Sequence, residues 1–239
     1  MDQQAIATMR AVTMSREYGS GGGEIAARLA HRLDWHLIDH QIVARAARES
    51  GVHEAVMRAF DEKTEDVFSR IMKWPYPVTA EEKQAYRQAL DRVVLEAANT
   101  GHVVIVGRGS QVLLADRRDV LHVRVVAPLE QCIEYVVRRE GLGTEAARKR
   151  VQEKDRARAR YLQTEFHRQY DDPHLYDLVI NTAVLDLDSA VDVICQMLER
   201  KASRLNVPVE ELGPAAGLPR YPGQAADFPA QGASSSEGK

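Results

Sequence analysis

Ten residues near the start of the chain, Ser15-Arg16-Glu17-Tyr18-Gly19-Ser20-Gly21-Gly22-Gly23-Glu24, constrain the fold more than any other feature. They follow a short apolar run at 11–15 and precede a stretch in which Ile25, Leu29 and Leu33 recur every fourth position. That spacing predicts an amphipathic helix, and the run before it a buried strand. A glycine-rich turn between a strand and a helix aims backbone N–H groups outward at the positive end of the helix dipole, which suits a phosphate. The unit also recurs along the chain. Val/Ile/Leu-rich runs at 36–38, 103–106, 120–126 and 177–181 alternate with long amphipathic stretches, and such alternation predicts a mostly parallel sheet flanked by helices.

Two nucleotide-binding templates compete for the loop. Gly19-x-Gly21 with Asp39 after the second strand imitates a dinucleotide fingerprint, but Glu24 holds the third glycine position and the turn is too long. The template Gly-x4-Gly-Lys-Ser/Thr fits the length better. It sets Arg16 at the first glycine, Gly21 at the second, and Gly22 and Gly23 where the lysine and hydroxyl belong. The ammonium that ordinarily neutralises phosphate is missing, and Arg16 is the sole cation within the loop. Gly19, Ser20, Gly21, Gly22, Gly23 and Glu24 are therefore the candidate phosphate-binding residues. Glu24 is either a ligand for Mg²⁺ or a carboxylate that complements the helix N-terminus.

Other observations narrow the class. The 239 residues carry a net charge of −3, with 44% hydrophobic and 28% charged residues, which argues against a nucleic-acid or anionic-membrane protein. Cys132 and Cys195 form no metal or redox motif, and no apolar run is long enough for a signal peptide or membrane span, so a cytoplasmic protein is expected. The eight histidines lack metal-ligand spacing. A Gly/Pro/Ala/Ser-rich end is expected to be a disordered tail from 206 to 239, after one domain over 1–205. Between 138 and 168 ten Lys/Arg face five acids, the only strongly basic stretch.

The runs SREYGSGGGEIAARLAHRL, VVIVGRGSQVLL, EKDRARARY and LYDLVINT together resemble the cytidylate kinase-like family, relatives of the P-loop nucleoside monophosphate kinases. The resemblance implies a three-layer α/β fold of P-loop NTPase type, with a mostly parallel five-stranded sheet, a helical acceptor-side insertion at 41–99 and a basic helical lid at 141–168. It implies transfer of the γ-phosphoryl of ATP, with Mg²⁺, to a nucleoside monophosphate, CMP or dCMP first, or to a related small acceptor. Asp39, Arg45, Arg108 and Asp177 match acceptor-binding positions; Arg16, Arg156 and Arg160 are the expected catalytic cations. His40, Gln41 and Gly109 depart from the family's acceptor elements. Two other readings remain: a nucleotide-binding regulatory protein that lost transfer with the loop lysine, and an NAD enzyme. Ser15-Arg16, Asp39, Gly107-Arg108, Ala127-Pro128 and Asn181-Thr182 all end predicted strands, so one rim of the sheet gathers them.

Overall fold

The computed structural model describes residues 3–39 and 80–213. The chain divides into two units, 1–205 and 206–239. The first holds a short helix α1 (Gln3–Ile6), then β1 (Ala11–Arg16), α2 (Gly22–Leu33), β2 (His36–Ile38), α3 (Ala80–Thr100), β3 (Val103–Val106), α4 (Ser110–Leu113), β4 (Val120–Val126), α5 (Leu129–Glu140), α6 (Thr144–Phe166), β5 (Leu178–Asn181) and α7 (Leu187–Ala202). In the second, the described residues contain a 3-10 turn at Val209–Glu211; the remainder of the expected tail, 214–239, lies outside the described residues.

All five strands are parallel and stand in the order β2-β3-β1-β4-β5, as the alternation predicts. The order reverses about β1. The chain leaves β1 for the β2/β3 side and later crosses from β3 to β4 on the other, so the crevice of this sheet opens at the carboxyl end of β1. Register carries the rim across: Met14 lies opposite Val106, and Arg16 opposite Val125, itself opposite Ile180.

Each face of the sheet has its own core. Val12, Met14, Val104, Leu121, Val123, Val125 and Ile180 pack against Ile25 and Leu29 of α2 and Ile194 and Leu198 of α7. Ala11, Val103, Ile105 and Val120 pack against Ala89, Leu90, Val93 and Val94 of α3. Helices thus cover both faces in three layers. Residues 89–98 of the expected insertion are therefore core helix, ended by Gly101 at φ 86 with its N–H on the Ala97 carbonyl. The earlier part of that insertion, to residue 79, lies outside the described residues. A third, smaller core joins α5 to α6 through Cys132, Ile133, Val136, Ala147 and Val151.

Candidate phosphate-transfer site

The loop after β1 is built from both sides. Ser20 is buried, and its hydroxyl donates to the Glu17 carbonyl at 2.9 Å and the Val125 carbonyl at 3.3 Å. The serine thus fastens the loop to β4, and its side chain is turned from the crevice. Gly21 takes φ 78 and starts α2. Ile25 is the first residue whose N–H reaches a helical carbonyl, that of Gly21 at 3.0 Å, so the amides of Gly22, Gly23 and Glu24 emerge from the helix end. On the far side, Thr182 Oγ1 donates to the Ser20 carbonyl at 2.9 Å.

Arg16 fills the space that a side chain at position 22 would need. A Cβ built on Gly22 would come within 2.7 Å of Arg16 Cβ and 3.2 Å of Val125 Cβ. Any side chain at position 22, the template's lysine included, would crowd Arg16. At its other end, Arg16 Nη1 lies 3.3 Å from the place where a Cβ on Gly107 would be. The side chain therefore runs along the rim from beneath Gly22 to the turn after β3. That turn, Gly107-Arg108-Gly109, holds three consecutive left-handed residues at φ 75, 62 and 68 and carries Arg108, half-buried, past the carboxyl end of β3.

The basic helix meets the loop through residues other than those expected. Arg156 and Arg160 are exposed, whereas Arg158 Nη1 donates to the Arg16 carbonyl at 3.2 Å and its guanidinium lies 5.4 Å from the centre of the Tyr18 ring. The cause is the helix's apolar stripe: burial of Ala147, Val151 and Leu162 sets the rotation, and Asp155 and Arg158 share that face. Asp155 accepts the Tyr18 N–H at 2.8 Å, and burial raises its carboxyl pKa above the ordinary value. Tyr18 also donates its hydroxyl to Glu140 at 2.6 Å.

Three further residues support the loop from below and escaped the sequence reading. Arg124, buried on β4, donates to the Tyr170 carbonyl at 2.8 Å and to Glu17 at 3.4 Å, with the Tyr170 ring 4.1 Å from its guanidinium. Glu17 in turn accepts the Ala127 N–H at 3.1 Å, and the Tyr170 hydroxyl donates to the Arg16 carbonyl. The strand run Val120-Leu121-His122-Val123-Arg124-Val125-Val126 held the signal: its polar residues alternate with apolar ones, marking a polar face.

The model of the cytidylate kinase-like family matches residues 11–184, which include every loop and turn just described. The chain belongs to the cytidylate kinase-like family. A cytidylate kinase of Ignicoccus hospitalis is 27% identical over 191 residues, 80% of this chain and 99% of that one. One from Thermococcus kodakarensis is 35% identical over 176 residues, 72% of this chain and 79% of its own. Among solved structures, an uncharacterized protein from Eubacterium ventriosum superposes with a TM-score of 0.60 at 21% identity, covering 80% of this chain and 98% of that chain. The fold is the three-layer α/β arrangement of P-loop kinases.

Within this cytidylate kinase-like framework the remaining expected residues separate. Asp39 follows β2 and stands at the rim. Arg45 lies outside the described residues. Asp177 does not reach the rim: it precedes β5, exchanges backbone and side-chain hydrogen bonds with His122, and its carboxylate binds Lys201 of α7 at 2.5 Å. Register puts it three residues below Ile180, about 10 Å along the strand. Its bonds with His122 extend the β4–β5 pairing one residue below Val123 and Leu178. Glu24 pairs with Arg28 at 3.3 Å and Arg139 at 3.8 Å, as a helix N-terminal carboxylate does. Among the described residues no group of three or more His, Cys, Asp or Glu is placed to hold a metal ion.

Proposed function

We propose that the chain is a nucleotide kinase that moves the γ-phosphoryl of ATP to a nucleoside monophosphate, with CMP or dCMP the first candidate. Kinases of this family use a nucleoside triphosphate together with a divalent cation. Mg²⁺ needs only one or two carboxylates beside the triphosphate's own oxygens, and Glu24 at the start of α2 is the candidate among the loop residues. The observation that carries the reading is the course of Arg16, from under the donor loop to the turn that bears Arg108.

Phosphoryl transfer asks a protein mainly for position and charge. The amides of Gly21, Gly22, Gly23 and Glu24 hold the donor phosphates. Arg108 and Asp39 hold the acceptor, with Arg45 as a further ligand. Arg16 lies between, where its planar fork can follow charge spread over the equatorial oxygens. An acceptor phosphate oxygen bonds to the γ-phosphorus as the bond to the β–γ bridging oxygen breaks, giving ADP and a nucleoside diphosphate. Arg158 supports this from behind by fixing the Arg16 main chain; Arg156 and Arg160 are left to solvent. The two buried thiols and the family's chemistry support a cytoplasmic protein.

A second reading draws on Gly22 and Gly23, which stand where the template has lysine and hydroxyl: a regulatory protein that binds nucleotide without transfer. ADP formation from Mg–ATP with a panel of monophosphates separates the two. Turnover with CMP or dCMP, abolished in Arg108→Ala, supports the kinase. Nucleotide binding with no turnover on any acceptor supports the regulator.

A further inference from the structure

Phe166, the last residue of α6, lies where a side chain at position 109 would be. A Cβ built on Gly109 would sit 2.2 Å from Phe166 Cε2 and 2.5 Å from Cζ. These atoms belong to a ring braced on its other sides, so the ring cannot simply move away. The Arg87 guanidinium of α3 covers it at 4.7 Å from the ring centre, and the Tyr161 ring meets it edge-on at 5.9 Å. Arg87 is itself held by Glu165 at 2.6 Å and by Asp91 at 3.7 Å.

Gly109 closes the left-handed turn in which Arg108, a residue with a Cβ, is held at φ 62. A non-glycine residue in that region is strained and persists only where its surroundings impose it. Backbone hydrogen bonds fix both ends of the turn: Gly107 N–H donates to the Met14 carbonyl at 3.0 Å, Ser110 N–H to the Gly107 carbonyl at 3.2 Å, and the Gly109 carbonyl accepts from Val112 N–H at 2.8 Å and Leu113 N–H at 3.0 Å. The Phe166 ring adds a restraint of another kind, filling the space beside the Gly109 Cα.

We propose that Phe166 is a positioning residue for the acceptor: seated against Gly109, its ring holds the turn in the one conformation that presents Arg108 to the acceptor phosphate. The inference rests on the kinase reading above. It also gives Gly109 a reason, since a larger residue there would evict the ring. The end of α6 thereby serves the acceptor turn while its middle, through Asp155 and Arg158, serves the donor loop.

The test is steady-state kinetics with Mg–ATP and CMP. In Phe166→Ala the KM for CMP rises about tenfold, kcat stays within about threefold and the KM for ATP is unchanged, the pattern of lost acceptor binding alone. Phe166→Leu, which refills part of the space, recovers part of the loss. Arg87→Gln leaves the ring but removes its cover, and raises the KM for CMP about threefold. An unchanged KM for CMP in Phe166→Ala overturns the inference, as does a parallel loss for ATP and CMP with a lowered Tm, which marks a merely structural role. Should Phe166→Ala fail to fold, an unchanged KM for CMP in Arg87→Gln overturns it. A wild-type protein that neither binds nor phosphorylates CMP, UMP, AMP or GMP removes the kinase reading and the inference with it, a result distinct from variants that behave as wild type.

Discussion

In the proposed kinase, Arg16 serves as the phosphate cation only because its neighbour Gly22 is small. The template's lysine reaches phosphate from the loop itself, whereas Arg16 leaves the strand end and passes under Gly22, whose missing side chain leaves the path open. Gly22→Ala is therefore expected to displace Arg16 and to lower kcat about tenfold or more while the fold persists, measured by ADP release. Gly19 is constrained differently: it takes φ 89, and a Cβ there would lie 2.5 Å from the Cys132 carbonyl oxygen. That neighbour is helix backbone. Gly19→Ala is expected to cost about 2 kcal/mol or more in urea unfolding, from strain and clash together. The loop's place between β1 and α2 was legible in its glycines and in the spacing on either side, and so was Arg16 as its lone cation. Asp177 is matched through the resemblance and opens the run 177–181; register places it three residues below Ile180, and only the folded chain shows its carboxylate bound to Lys201.

At the scale of elements, the strands were readable almost to the residue, since runs such as Val103-Val104-Ile105-Val106 are buried on both faces and leave no competing period. The rotation of α6 was not. Its cations appear on two faces, and only Ala147, Val151 and Leu162 are buried in 23 positions. Charge spacing gives two stripes, one with Arg158 and one with Arg156 and Arg160, and packing turns Arg158 to the loop. Arg158→Ala is expected to reduce kcat/KM for ATP about tenfold or more, and Arg156→Ala and Arg160→Ala to stay within about twofold, by initial rates at limiting ATP. Equal losses in all three would show that the helix works through its exposed face. Phe166 left no sequence signal, because its role depends on the Gly109 turn, more than fifty residues away in the chain.

For the whole molecule, the sheet face under α3 changes character toward the rim. Ala11, Val103 and Val120 give way to Thr13, His122 and Arg124, so the same strands that pack the core also carry a polar shelf beneath the loop. His122 is buried within it, bonded through Nδ1 to Thr13 at 2.8 Å, and burial, with Lys201 adding to it against the pull of Asp177, lowers its pKa to about 4. The folded value lies below the unfolded one, so between them the unfolded chain binds more protons. Stability is full above pH 6.5 and falls as pH drops toward 4, by up to about 3 kcal/mol from this group. Urea unfolding across that range should show the slope, and His122→Gln should flatten it.

The central claim is that main-chain amides and Arg16 together grip a triphosphate in place of the loop lysine. Calorimetric titration of the full chain with Mg–ATP, beside Arg16→Ala, tests it most directly. The account predicts saturable binding to the wild-type protein and affinity at least about tenfold weaker in the variant, a difference of about 1.4 kcal/mol. No binding heat from the wild-type chain, or equal affinity in the two proteins, would contradict it.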